Sequence, residues 1–167
     1  MAKGRTDIKK IKPGRNVTIN GKYKPRNPKK YIGDITQIIY RSSWERKFCV
    51  FCDNSQKVMK WSSEPFPLKY VSPIDKKIHE YFVDFYVKIE QDNGVIEEFI
   101  IEVKPKSQLQ KPEPPKKNTL KQIKIYNEQV KTYLINAAKF AAAKSFAAKR
   151  GFKFLIVTED FLFNNKM

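Results

Sequence analysis

The chain is poor in the residues from which zinc fingers, disulfide frameworks and membrane spans are built. Cysteine occurs twice, as Cys49 and Cys52, and histidine once, as His79. Two thiols and one imidazole argue against a structural zinc site and exclude a disulfide framework. No run of about 18 apolar residues occurs and no signal peptide opens the chain, so a soluble intracellular protein with no membrane partner is expected. Acid is scarce as well: 17 Asp and Glu stand against 34 Lys and Arg, a net charge of +17. That imbalance says little about fold and much about partners, with nucleic acid first among them. At 167 residues the chain is long enough for one well-buried core.

The charge is unevenly placed. Residues 1–30 hold eleven Lys and Arg against Asp7 alone, with Pro13, Gly14, Pro25 and Pro28 spaced among them. A stretch so basic and so poor in apolar residues reads as an extended arm, which leaves residues 31–167 as the folded domain. Lys9, Lys10, Lys12 and Arg15 are candidates to lie along DNA phosphates and release counterions. A tail kept for solubility, or for docking on an acidic protein, is the plainer alternative.

The next signals are a helix and several strands. Ser42 or Ser43 caps a helix on which Trp44, Phe48, Phe51 and Cys52 share one face. Glu45 follows Ser42 by three, the spacing of a capping box, although the same carboxylate could instead turn toward a site at the sheet edge. Cys49 and Cys52 read as small core residues. Residues 58–61 and 66–71 read as short extended pieces, and residues 152–158 as an apolar strand after a long helix. That helix, capped by Asn118 or Thr119, is predicted to run to Arg150 and stop at Gly151. A strand reached through such a crossover is predicted to lie parallel to its neighbour. Residues 105–117 hold four of the ten prolines and read as a stiff surface loop, either gripping DNA or acting as a spacer.

The centre of the chain is a hairpin. Two runs rich in β-branched and aromatic residues, 81–89 and 95–104, flank Gln91, Asp92, Asn93 and Gly94. With Gly94 in the left-handed bulge position, Gln91 faces Val95, and the register sets Asp84 across from Glu102. Lys104 follows on the same face. Two carboxylates so placed repel each other and are costly to bury, and a hard cation such as Mg²⁺, with Mn²⁺ able to substitute, relieves both problems. A solvent-facing hairpin with an ordinary mixture of Lys and Glu is the bland alternative.

Glu45 on a helix, then Asp84 within Tyr81-Phe82-Val83-Asp84-Phe85, then Glu102-Val103-Lys104 resembles the PD-(D/E)XK nuclease superfamily, above all its branch of transposon-end-cleaving endonucleases. The match covers about residues 40–105. In size, basic arm and layout the chain is similar to head completion nucleases of large contractile-tailed phages. The resemblance implies an α/β fold with a restriction-endonuclease-like core, a mixed sheet of four or five strands flanked by helices. It implies Asp84, Glu102 and Glu45 as the metal site and Lys104 as the lysine at the hydrolytic water. Val83 stands where the motif has proline, a residue that shapes backbone and binds no metal. Arg41, His79, Lys106 and Lys121 are further candidates for DNA contact, and His79 alternatively a general base or a plain surface residue.

The expected activity is Mg²⁺-dependent hydrolysis of DNA phosphodiesters. The resemblance implies action on packaged phage DNA during head completion and head–tail joining. DNA and phage head, neck or portal proteins are then the partners, in the host cytoplasm or on the virion. A non-catalytic basic protein for nucleic-acid binding or virion assembly is the rival reading.

Overall fold

The computed structural model describes residues 20–164. In chain order the elements begin with β1 (Gly21–Lys22), β2 (Ile39–Tyr40), α1 (Ser43–Asn54), β3 (Val58–Ser63), β4 (Pro67–Val71) and β5 (Ile78–Phe82). They continue with β6 (Phe85–Glu90), β7 (Ile96–Val103), α2 (Leu120–Arg150), β8 (Lys153–Val157) and α3 (Glu159–Asn164). The main sheet has the order β3-β6-β7-β8, with β6 antiparallel to β3 and β7 and β8 parallel to β7. It is the mixed four-stranded sheet flanked by helices that the resemblance implies.

Both faces of this sheet are covered, and central β7 records it: Phe99 through Val103 are all buried. Phe99, Ile101 and Val103 pack with Phe48, Cys49 and Cys52 of α1, while Ile100 packs with Ala143 and Ala147 of α2. The alanines bring α2 close to the sheet. Trp61, Phe48 and Phe85 are fully enclosed, each contributing about 1.5–3 kcal/mol by the usual transfer scale.

The hairpin forms in the expected register, from Glu90↔Ile96 to Phe85↔Ile101. Gln91 N–H donates to the Val95 carbonyl at 2.8 Å, and Gly94 takes φ +78°. An L side chain at that position is strained, so Gly94→Ala is expected to lower stability by about 1 kcal/mol in urea titrations. The caps also fall where expected, with Thr119 Oγ1 accepting from Gln122 N–H and Gly151 left-handed at φ +73°. The 105–117 loop contains a single 3-10 turn, Lys106–Gln108.

Two expectations need correction. Residues 81–89 are not one strand: the chain bends at Asp84, and β5 leaves the main sheet to pair with β4 in a separate ribbon. The alternation Tyr81, Val83, Phe85, Val87 is unbroken in sequence, yet the first two pack on the α2 side and the last two on the α1 side. A bend that turns the buried face over preserves the period and hides the break. Nor does the arm run to residue 30. Residues 21–31 are docked on the domain through β1, a 3-10 turn at Pro28–Lys30 and hydrogen bonds to Asp53. Lys9, Lys10, Lys12 and Arg15 lie outside the described residues.

Candidate active site

The bend places Asp84 at the edge where β6 begins. Extending the register one residue past Phe85↔Ile101 sets it opposite Glu102, and the Val103 N–H donates to Asp84 Oδ2 at 2.7 Å. Glu102 sits on the α2 face of the central strand and is 3% exposed. Lys104 follows it. Its Nζ lies 3.5 Å from Glu102 Oε2 and 3.8 Å from Asp84 Oδ2, so both carboxylates and the ammonium share one face.

The electrostatics are those of two acids crowded together away from water. Burial pushes the Glu102 carboxyl up, the charge of Asp84 adds to the effect, and Lys104 opposes it. Burial alone would depress Lys104, but Asp84, Glu102 and Glu45 together outweigh it and hold the ammonium above its ordinary value. The Tyr81 hydroxyl is pushed well up by burial and by the charges of Glu102 and Asp84.

The capping reading of Glu45 is realised. Its N–H donates to Ser42 Oγ at 3.1 Å, and its carboxylate accepts from the Ser42 hydroxyl at 3.0 Å and from Arg41 N–H at 2.7 Å. The reciprocal bond of the capping box thus goes to the Arg41 backbone and the Ser42 side chain. The same carboxyl is raised by burial and then by the charge of Asp84, and Lys104 lowers it. The carboxyl of this cap residue therefore lies within the electrostatic reach of Asp84 and Lys104.

Whether these residues suit a divalent cation can be judged from their oxygens. Glu102 Oε1 is buried and has no hydrogen-bond partner among the described residues, while Oε2 faces Lys104. Left charged, such an oxygen is costly, so it takes up either a proton or a cation. Hard oxygen donors of this kind are what Mg²⁺ and similar ions take. Among the described residues no three His, Cys, Asp or Glu groups form a ready-made ion cage. The donor set fits an ion held by one or two carboxylates and otherwise by water and phosphate oxygens.

The remaining candidates are dispersed. Arg41 leads into α1 and pairs through two nitrogens with Glu64. His79 Nε2 lies 2.8 Å from Asp75 Oδ2, out on the β4–β5 ribbon. Lys106 pairs with Asp160, and its N–H donates to Glu159 at 2.9 Å. Lys121 is exposed on the first turn of α2, a helix whose first buried residue is Asn136. The lysine of α2 that feels the acid pair is Lys139, which sequence reading passed over. The available signal was a charged residue within the core-facing series Asn136, Phe140, Ala143 and Ala147. Cys49 and Cys52 are buried, and burial pushes both thiols up, as befits core residues.

Residues 55–159 match the family described as TnsA-like endonuclease N terminal, a span that includes Asp84, Glu102 and Lys104 and excludes Glu45. The chain is also 38% identical over 144 residues to the head completion nuclease of Enterobacteria phage T4, which is 86% of this chain and 93% of that protein.

Proposed function

From the premise that this chain belongs to the TnsA-like endonuclease family, we propose that it is a nuclease hydrolysing DNA phosphodiester bonds at Asp84, Glu102 and Lys104. The observation that carries the reading is a buried Glu102 oxygen with no hydrogen-bond partner among the described residues, set beside Asp84 with Lys104 reaching both. Asp84 and Glu102 would hold a divalent cation, Mg²⁺ or in its place Mn²⁺, with Glu45 as the further acid of the site. Such a cation supplies positive charge that stabilises the phosphoryl group as it is attacked. Lys104 is kept protonated by its carboxylate neighbours and orients the attacking water or steadies a phosphate oxygen as charge develops. A water oxygen bonds to phosphorus, one P–O ester bond breaks, and the proton passes to the departing oxygen. Likeness to the phage relative supports action on packaged DNA at head completion, with head, neck or portal proteins as neighbours.

The net charge of +17 supplies affinity without base reading. The basic arm is assigned to DNA phosphates on the same ground. Arg41, His79, Lys106 and Lys121 are weaker contributors, since the first three already have acidic partners.

The test is to titrate Mg²⁺, then Mn²⁺, into plasmid DNA with the full chain. Conversion of supercoiled to nicked or linear DNA is expected, reduced by more than about 100-fold in Lys104→Ala and in Asp84→Asn. DNA retained on a gel but uncut with either cation would overturn this reading in favour of a non-catalytic basic binder.

A further inference from the structure

The face that α2 turns to the sheet carries one charge among apolar and small residues, and that charge is Lys139. Its Nζ lies 5.2 Å from the centroid of the Tyr81 ring and 5.7 Å from that of Tyr70. The Tyr81 hydroxyl donates to the Lys139 carbonyl at 2.8 Å. Helix, ribbon and ammonium are therefore fixed relative to one another at the end of β5, three residues from Asp84.

The seat is stable and electrically incomplete. Half-burial of the ammonium depresses its pKa, Glu102 and Asp84 pull the other way, and Lys104 adds repulsion. The two ring faces recover part of the lost hydration but bring no counter-charge. Among the described residues no carboxylate lies within ion-pair distance of Lys139, whereas Lys104 is shared between both acids. A cation held in place on aromatic rings, beside acids already engaged by another lysine, is arranged for an anion that arrives from outside.

We propose that Lys139 is a second phosphate-binding cation of the site, gripping a phosphodiester of bound DNA adjacent to the one cut at Asp84, Glu102 and Lys104. The inference rests on the nuclease reading for the place of the cut, while the phosphate contact itself is measurable without cleavage. Lys139 and Lys104 then divide the work, one holding the backbone and the other serving the attacked phosphorus.

The test measures affinity of the full chain for a short DNA duplex in EDTA across a series of salt concentrations. Lys139→Gln is expected to flatten the slope of log K against log salt by about 0.9, the loss of one phosphate contact, and Lys139→Arg to restore it. In plasmid cleavage, Lys139→Gln should raise KM on the order of tenfold, with a smaller change in kcat. Lys139→Met keeps the apolar stem against the tyrosines and serves as a second neutral variant should the glutamine one fail to fold by circular dichroism. An unchanged slope in the folded neutral variants overturns the phosphate contact even if the wild type cleaves. A flattened slope without wild-type cleavage keeps the contact and removes the nuclease reading.

Discussion

Glu102→Gln is expected to lower cation-dependent DNA cleavage by more than about 100-fold while leaving the domain folded. Partners one shell removed from a metal already cost roughly 10- to 100-fold when lost, and Glu102 is assigned to the ion itself. The fold survives because burial and the charge of Asp84 push the Glu102 carboxyl up, to about 8 from an ordinary 4.5. Near neutrality the residue is already proton-bearing in the cation-free protein, and glutamine imitates that form. Between these two values the folded protein keeps a proton that the unfolded chain has lost. The stabilisation is therefore complete below the lower value and is lost as pH rises through the upper one. Melts in EDTA should show the wild-type Tm falling from about pH 5 to about pH 8.5 more steeply than that of Glu102→Gln. Divalent cation should restore the wild-type Tm at the alkaline end and leave the variant unmoved, since a bound ion displaces the proton. Parallel Tm curves for the two proteins would show that Glu102 does not titrate in this window.

The same residue shows how much of the site was legible in the sequence. Pairing of Asp84 with Glu102 followed from local facts, the bulge glycine at Gly94 and a strand period of two, and the hairpin obeys both. The bend at Asp84 was hidden because alternation continues through it. Period alone says that residues 81, 83, 85 and 87 are buried, not against which layer. Only the long-range packing of Tyr81 and Val83 with α2, and of Phe85 and Val87 with the α1 side, distinguishes two strands from one. Lys139 escaped for the same reason. A lysine among alanines reads as helix surface until the helix is docked and the Tyr70 and Tyr81 rings come under it. The helix caps needed no such information: sequence narrows each to two adjacent residues, Ser42 or Ser43 and Asn118 or Thr119, of which the structure uses Ser42 and Thr119, since a cap depends on three or four consecutive residues.

The misplaced end of the basic arm leads to the second large effect, this time on stability. Composition over residues 1–30 describes a chain unable to bury apolar surface, yet residues 21–31 are docked, and a single acid at the end of α1 gathers five of their hydrogen bonds. Asp53 is fully buried, and its carboxylate accepts from the Tyr23 hydroxyl at 2.8 Å, Arg26 N–H at 2.7 Å and Asn27 N–H at 2.9 Å. Its backbone carbonyl accepts from Asn27 Nδ2 and Lys30 Nζ, each at 3.0 Å. Charge-assisted bonds from a loop to one carboxylate order that loop without any apolar run, which is why hydropathy could not reveal it. Asp53→Ala leaves three donors without their acceptor. At about 1–3 kcal/mol for each unmet group, moderated by water at Arg26 and Asn27, a loss of roughly 3–5 kcal/mol is expected in urea titrations. Asp53→Asn, which keeps one carbonyl acceptor, should fall between wild type and alanine. Release of the segment is read separately by limited trypsin digestion, with early cleavage after Arg26, Lys29 or Lys30 expected in Asp53→Ala and protection in the wild type. Tyr31 and Tyr23 rest edge-on against Trp61, so the detached segment also uncovers the indole, and a red-shifted tryptophan emission should accompany the cleavage. Destabilisation without either local signal would mean that the aromatic contacts, and not the Asp53 clasp, hold this segment to the domain.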